Sequence, residues 1–188
     1  SMFPTFDLVR RYLHGGCASG VHEARLAREE IGGEVHTFAP AFTEDEIAEL
    51  LPISDHIVFN SLGQWRRHRA ACLEAQRVQA ESRTTSGRRR LSFGLRVNPE
   101  YSEGEVEIYD PCAPYSRLGT TREELARALG QDSADLPGQP AASQDGRAAM
   151  DGLTGIHFHT LCEQGVDAME HTLEAVDARF GDILHRPE

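Results

Sequence analysis

The chain has 188 residues, 39% hydrophobic and 26% charged, the balance of one soluble globular domain with a core of its own. A formal net charge of −11 argues against a nucleic-acid partner, whose phosphates require a basic face. No apolar run approaches the ~18 residues that span a membrane, the first six residues carry no secretory signal, and four scattered cysteines form neither a disulfide framework nor a zinc pattern, so a cytoplasmic protein is expected.

Residues 3–13 read as a helix with Phe6, Val9 and Leu13 on one side, ended by Gly15 and Gly16. Cys17, Ala18 and Ser19 are small, like the end of a buried strand, and Ser19 is placed to cap a helix over 21–31, closed by Gly32 and Gly33. Residues 34–38 read as a strand. Thr43 and Glu46 have capping-box spacing and open a helix that stops before Pro52. Residues 56–59 are apolar and β-branched, hence a strand. Asn60 and Ser61 turn the chain, and Ser61 with Gln64 is a second capping box. The long helix that follows, to about Gln79, offers Trp65, Ala71, Cys72 and Ala75 as its buried side.

Residues 82–90, with Arg88, Arg89 and Arg90 in succession, read as a solvated turn, and 91–97 as a strand with Arg96 near its carboxyl end. Residues 98–119 form a long loop carrying Tyr101, Tyr109, Cys112 and Tyr115, a length that marks functional loops. Thr121 and Glu124 make a third capping box, opening a short helix to Leu129. Residues 130–152 read as a flexible insertion without chemistry. The last helix, from Val166 to Phe180, repeats Val166, Met169, Leu173, Val176 and Phe180 at helical spacing.

Before that helix, Ile156 and Phe158 alternate with His157 and His159, a strand pattern that puts both histidines on one face. The strand runs into Thr160, Cys162, Glu163 and Gln164. In parallel α/β folds the chemistry gathers beyond the carboxyl ends of strands, so this is where a site is expected. Strand–helix alternation five times over predicts about five parallel strands with helices outside. No glycine-rich nucleotide fingerprint follows a strand, and five strands do not close a (β/α)8 barrel, which takes about 250 residues. An open α/β sheet and part of a barrel remain as the two architectures.

All 19 basic residues are arginine, so no lysine of this chain is available for a Schiff base.

Several runs resemble one family: Cys17-Ala18-Ser19 with Glu23, residues 34–42 (EVHTFAPAF), 55–61 (DHIVFNS), 93–102 (FGLRVNPEYS), 109–114 (YDPCAP), 116–119 (SRLG) and 155–164 (GIHFHTLCEQ). Together they are similar to the carboxynorspermidine (carboxyspermidine) decarboxylases, alanine-racemase-like enzymes of the pyridoxal-phosphate (PLP) fold III class. The resemblance covers nearly all of the chain outside residues 130–152. It implies a PLP-binding (β/α) barrel, a following β domain, a homodimer, and release of carbon dioxide from a carboxylated polyamine to give norspermidine or spermidine. It further implies that His159 stacks on the cofactor ring, that Arg96 lies near the ring's phenolic oxygen, and that Cys162 stands where relatives place a phosphate-side serine. Ser19 falls close to the cofactor strand. Arg117 matches a residue near the dimer interface, and Glu163 is the candidate for a substrate ammonium. The family's lysine and β domain fall outside the matched segment, so the chain is expected to be an internal part of the barrel and inactive by itself. Two alternatives stand beside this: a non-catalytic homologue that binds a full-length decarboxylase or polyamines, and a metal-dependent barrel enzyme using His157, His159 and Cys162.

Overall fold

The computed structural model describes residues 3–82, 90–104, 106–130 and 148–185. Most of the arginine-rich turn and of the expected insertion at 130–152 lies outside the described residues.

After a 3-10 turn at Phe3–Thr5, the elements are α1 (Phe6–Tyr12), β1 (Gly15–Ala18), α2 (Val21–Leu26, continued by a π-helical turn over Ala27–Ile31), β2 (Glu34–Phe38) and α3 (Glu44–Leu50). Then come β3 (His56–Phe59), α4 (Leu62–Ser82), β4 (Ser92–Arg96), α5 (Arg122–Ala128), β5 (Leu153–His157) and α6 (Val166–Leu184). The five strands form one parallel sheet in the order β1-β2-β3-β4-β5. A doubly wound sheet reverses its strand order at a switch point, whereas a (β/α) barrel adds each strand beside the last. The sequential order therefore selects the barrel architecture. No described helix is long and apolar enough to cross a membrane.

Two compact units divide the chain. In the unit built from residues 1–59, 64–94 and 152–154, Gly15 and Gly16 belong to β1 instead of capping α1. A Cβ on Gly15 would lie 1.9 Å from the Glu34 carbonyl oxygen, so only glycine permits the pairing of β1 with β2. Cys17 is exposed while Ala18 is buried. Thr43 and Glu46 form the expected capping box, whose loss costs about 1 kcal/mol. Ser19 is not the cap of α2: that position is Gly20, and the Ser19 hydroxyl and N–H both donate to Glu23, at 2.6 and 2.8 Å. The core centres on Phe59, packed against Trp65 and Phe93 with ring centroids 5.4 and 6.4 Å away. Burying each of these rings contributes about 2–3 kcal/mol. α4 buries Leu62, Trp65, His68 and Cys72; Ala71, expected inside, is exposed, because the 3.6-residue period from Trp65 leads to His68 and Cys72. The Gln64 side-chain amide donates to the Pro40 carbonyl at 2.6 Å.

In the unit built from residues 60–63, 95–151 and 155–188, Leu95, Val97, Leu125, Val176 and Phe180 are buried to 1% exposure or less. Thr121 and Glu124 form the expected capping box. α6 buries Ala168, Thr172, Val176 and Phe180, while Val166, Met169 and Leu173 are 41–70% exposed. The buried stripe is rotated from the expected one because Thr172 turns inward, where its hydroxyl bonds Thr160 at 3.2 Å.

Candidate functional site

β4 and β5 end in the second unit, and the backbone there is tied tightly. The Val97 N–H donates to the His157 carbonyl at 2.8 Å. The Thr120 N–H reaches the Arg96 carbonyl and the Asn98 N–H reaches the Thr120 carbonyl, both at 2.9 Å. Asn60 sets the 117–120 segment. Its side chain donates to the Arg117 carbonyl at 2.8 Å and accepts the Gly119 N–H at 2.7 Å, and its own carbonyl accepts the Thr120 hydroxyl at 3.1 Å. Gly119 has φ +83°, and a Cβ there would lie 2.8 Å from the Val97 carbonyl carbon. Sequence reasoning saw Asn60 only as a turn residue.

On this frame Arg96 is 6% exposed. Burial lowers its pKa, with the nearby Cys112 working the other way. Burial first, then the Arg96 charge and then His159, push the His157 imidazole down to about 4. His157 is therefore neutral at physiological pH, next to a buried cation. Burial, then Asp110, push the Cys112 thiol up to about 11, against the Tyr101 N–H and Arg96, so it stays protonated. β5 stops at His157; His159 lies two residues past the strand and is exposed. The pair expected on one face of a strand is thus one part-buried imidazole in the strand and one exposed imidazole beyond its end.

Past His159, the chain and the 102–111 loop enclose a cleft of about 460 Å³ lined by Glu103, Tyr109, Asp110, Thr160, Cys162 and Glu163, among others. Three of the lining residues are carboxylates and none is basic. Its walls are crosslinked: the Ser102 hydroxyl donates to the Thr160 carbonyl at 3.2 Å, and the Gln164 amide to the Glu103 carbonyl at 3.0 Å. The Cys162 N–H donates to the Gln164 side-chain oxygen at 2.6 Å. Glu163 holds φ +63°, a conformation that costs a non-glycine residue strain. Hydrogen bonds from Tyr101 and then His171 lower the Glu103 pKa, which keeps that carboxylate charged. A cleft whose charged lining residues are all carboxylates suits a cation.

The structure thus brings Cys162 and Glu163 together in one cleft and sets Arg96 beside His157. Arg117 lies apart, exposed, in a smaller hollow of about 240 Å³ with Asn60 and Thr120. Ser19 belongs to the other compact unit. Glu103 and Asp110 were missed in sequence, because a loop without periodicity gives no sign of which carboxylates converge. Among the described residues, the three-ligand cluster is Glu34, His36 and His56, not His157, His159 and Cys162.

No protein-family profile matches the chain. It is 38% identical over all 188 residues to a carboxyaminopropylagmatine decarboxylase of Synechocystis sp., covering 40% of that protein. It is 37% identical over 174 residues to a carboxynorspermidine/carboxyspermidine decarboxylase of Campylobacter jejuni, covering 93% of this chain and 36% of that protein. The crystal structure of the Campylobacter jejuni carboxynorspermidine decarboxylase with norspermidine superposes with a TM-score of 0.67 at 31% identity, over 96% of this chain and 37% of that one. A diaminopimelate decarboxylase of Helicobacter pylori, at 13% identity and TM-score 0.58, shares the fold. The chain thus spans about two fifths of the length of these relatives.

Proposed function

Over more than nine tenths of its length the chain is related to part of the carboxynorspermidine/carboxyspermidine decarboxylases, and from that premise we propose that it carries the substrate-holding end of a decarboxylase acting on carboxylated polyamines. The observation that carries this reading is the acidic cleft, with Glu103, Asp110 and Glu163 around a hollow of about 460 Å³ at the end of β5. A polyamine is a chain of ammonium groups, and three carboxylates lining one cleft match it by charge. Glu163 holds a substrate ammonium in this reading. The named relatives differ in whether the tail ends in an amine or a guanidine, and the cleft chemistry serves both.

PLP is the cofactor of the same proposal. In this reading Arg96 supplies a buried guanidinium for a ring oxygen, and exposed His159, just past the end of β5, supplies a flat face for the ring. Cys162 stands on the phosphate side. The residues do not fit covalent attachment, since the chain contains no lysine. When bound, PLP accepts the electron pair released as carbon dioxide departs. The protein's part is to orient: His159 packs, Arg96 holds its proton throughout, and Glu163 fixes the substrate's far end. A homodimer with exposed Arg117 at its interface and a cytoplasmic setting belong to this reading. A second reading is a non-catalytic chain that binds polyamines or a full-length decarboxylase.

Calorimetric titration of the purified chain with norspermidine tests both. Binding that weakens at least fivefold in Glu163→Gln and falls with salt supports the cleft; no binding, or no effect of Glu163→Gln, refutes it. Carbon dioxide release from carboxynorspermidine with added PLP separates the two readings: release by the chain alone excludes the non-catalytic one.

A further inference from the structure

Glu34 and His36 lie two residues apart on β2, on the face opposite buried Val35 and Thr37. In the β2–β3 register His56 is the direct partner of His36. Its ring lies 4.1 Å from that of His36, centroid to centroid. Glu34 Oε2 is 3.1 Å from His36 Nε2 and 3.5 Å from His56 Nε2, and one donor atom from each residue lies within 4.8 Å of the others.

We propose that Glu34, His36 and His56 form a binding site for a divalent cation of the zinc class. Zinc bound tetrahedrally at about 2.05 Å holds its donors about 3.3 Å apart, and the two Glu34–imidazole distances, 3.1 and 3.5 Å, bracket that spacing. The donors are preset by backbone, since two come from one strand and the third from its registered neighbour. His56 Nδ1 is bonded to the Ser92 hydroxyl on β4. A ligating imidazole characteristically has its second nitrogen held in this way, which fixes the ring and aims the other nitrogen at the ion. The side chains of Glu34, His56 and His36 are 20%, 29% and 47% exposed, so the ion has a path in and one coordination position stays open to water. The same distances suit an ion-paired Glu–His–His cluster, so stoichiometric metal binding is what separates the two readings.

The test uses the full chain, stripped with chelator and titrated with Zn²⁺ against a chromophoric competitor, and with Co²⁺ read by its visible absorption. One equivalent is expected to bind, with Co²⁺ giving the intense bands of four-coordination. His36→Ala, His56→Ala and Glu34→Gln should each weaken binding more than tenfold, and Ser92→Ala by about tenfold. His171→Ala and His185→Ala should leave it unchanged. His36 is half-exposed, so its variant tests the site in a folded chain; zinc should raise the melting temperature of the parent and not of that variant. Absence of stoichiometric binding, or binding that survives His36→Ala and His56→Ala, overturns the proposal.

Discussion

The Arg96 guanidinium is near enough to His157 for its charge to add to burial in pushing that imidazole down to about 4. The fold therefore keeps His157 uncharged where an unfolded chain, with a histidine pKa near 6.5, protonates it.

The sign follows from proton counts. Between about pH 6.5 and 4 the unfolded state binds a proton that the native state refuses, so stability rises with pH across that window. The contribution is complete above pH 6.5 and is lost as pH falls towards 4; the shift allows on the order of 3 kcal/mol at most. Urea unfolding at pH 7.5, 5.5 and 4.5 should show this slope in the parent and a shallower one in His157→Gln. His171 has the opposite sign: the bond to Glu103 and its charge raise its pKa, so its contribution is lost as pH rises through the raised value. The difference between parent and variant isolates His157. Parallel slopes in the two proteins would refute the assignment.

The frame below the site depends on Gly119. Alanine there meets both a φ of +83°, which costs about 1–2 kcal/mol for any side chain, and a contact of 2.8 Å with the Val97 carbonyl carbon. Gly119→Ala should lower stability by about 3 kcal/mol and weaken norspermidine binding with it. A melting temperature within 2 °C of the parent shows that the segment relaxes freely.

Much of this was readable in the sequence, and the failures have causes. Thr43 with Glu46 and Thr121 with Glu124 cap the helices they were assigned to, because a capping box is a local exchange of hydrogen bonds between residues three apart. β3 followed from a short apolar, β-branched run. The α6 stripe was half wrong, because Val176 and Phe180 belong to two possible stripes and the choice rested on Thr172, whose partner Thr160 is on another element. Glu34, His36 and His56 carried no signal, since the register that sets His36 opposite His56 is a property of the sheet and not of either strand's pattern. His159 was placed on the strand by alternation, and β5 ends before it.

Arg122 and Asp182 make a bidentate pair, at 3.0 and 3.2 Å, between α5 and α6. The arginine side chain is 9% exposed and the aspartate 55%. Removing the partner of a buried charge costs more than removing the charge itself. Asp182→Ala should therefore destabilise by about 2 kcal/mol, discounted for the exposed carboxylate, and by more than Arg122→Met. The reverse order in chemical denaturation would mean that the Arg122 stem, not its charge, holds the helices.

The last prediction concerns the four cysteines, which burial sorts into two pairs. Cys72 and Cys112 are pushed up to about 12 and about 11, burial being the largest cause in each case, with Asp110 adding to it at Cys112. Only the thiolate attacks an alkylating reagent, and at pH 8 a thiol with a pKa of 11 is ionised in about one molecule per thousand. Cys17 and Cys162 are exposed. Iodoacetamide at pH 8 should label Cys17 and Cys162 within minutes and leave Cys72 and Cys112 unmodified until denaturant is added, as peptide mass spectrometry will show. Cys162 lines the acidic cleft and Cys17 does not. Saturating norspermidine should therefore slow labelling of Cys162 at least fivefold while leaving Cys17 unaffected, and Glu163→Gln should abolish that protection. Equal protection of both thiols would mean that the polyamine acts through general charge screening, and rapid native labelling of Cys112 would mean that the 98–119 loop opens around Arg96 far more often than its contacts allow.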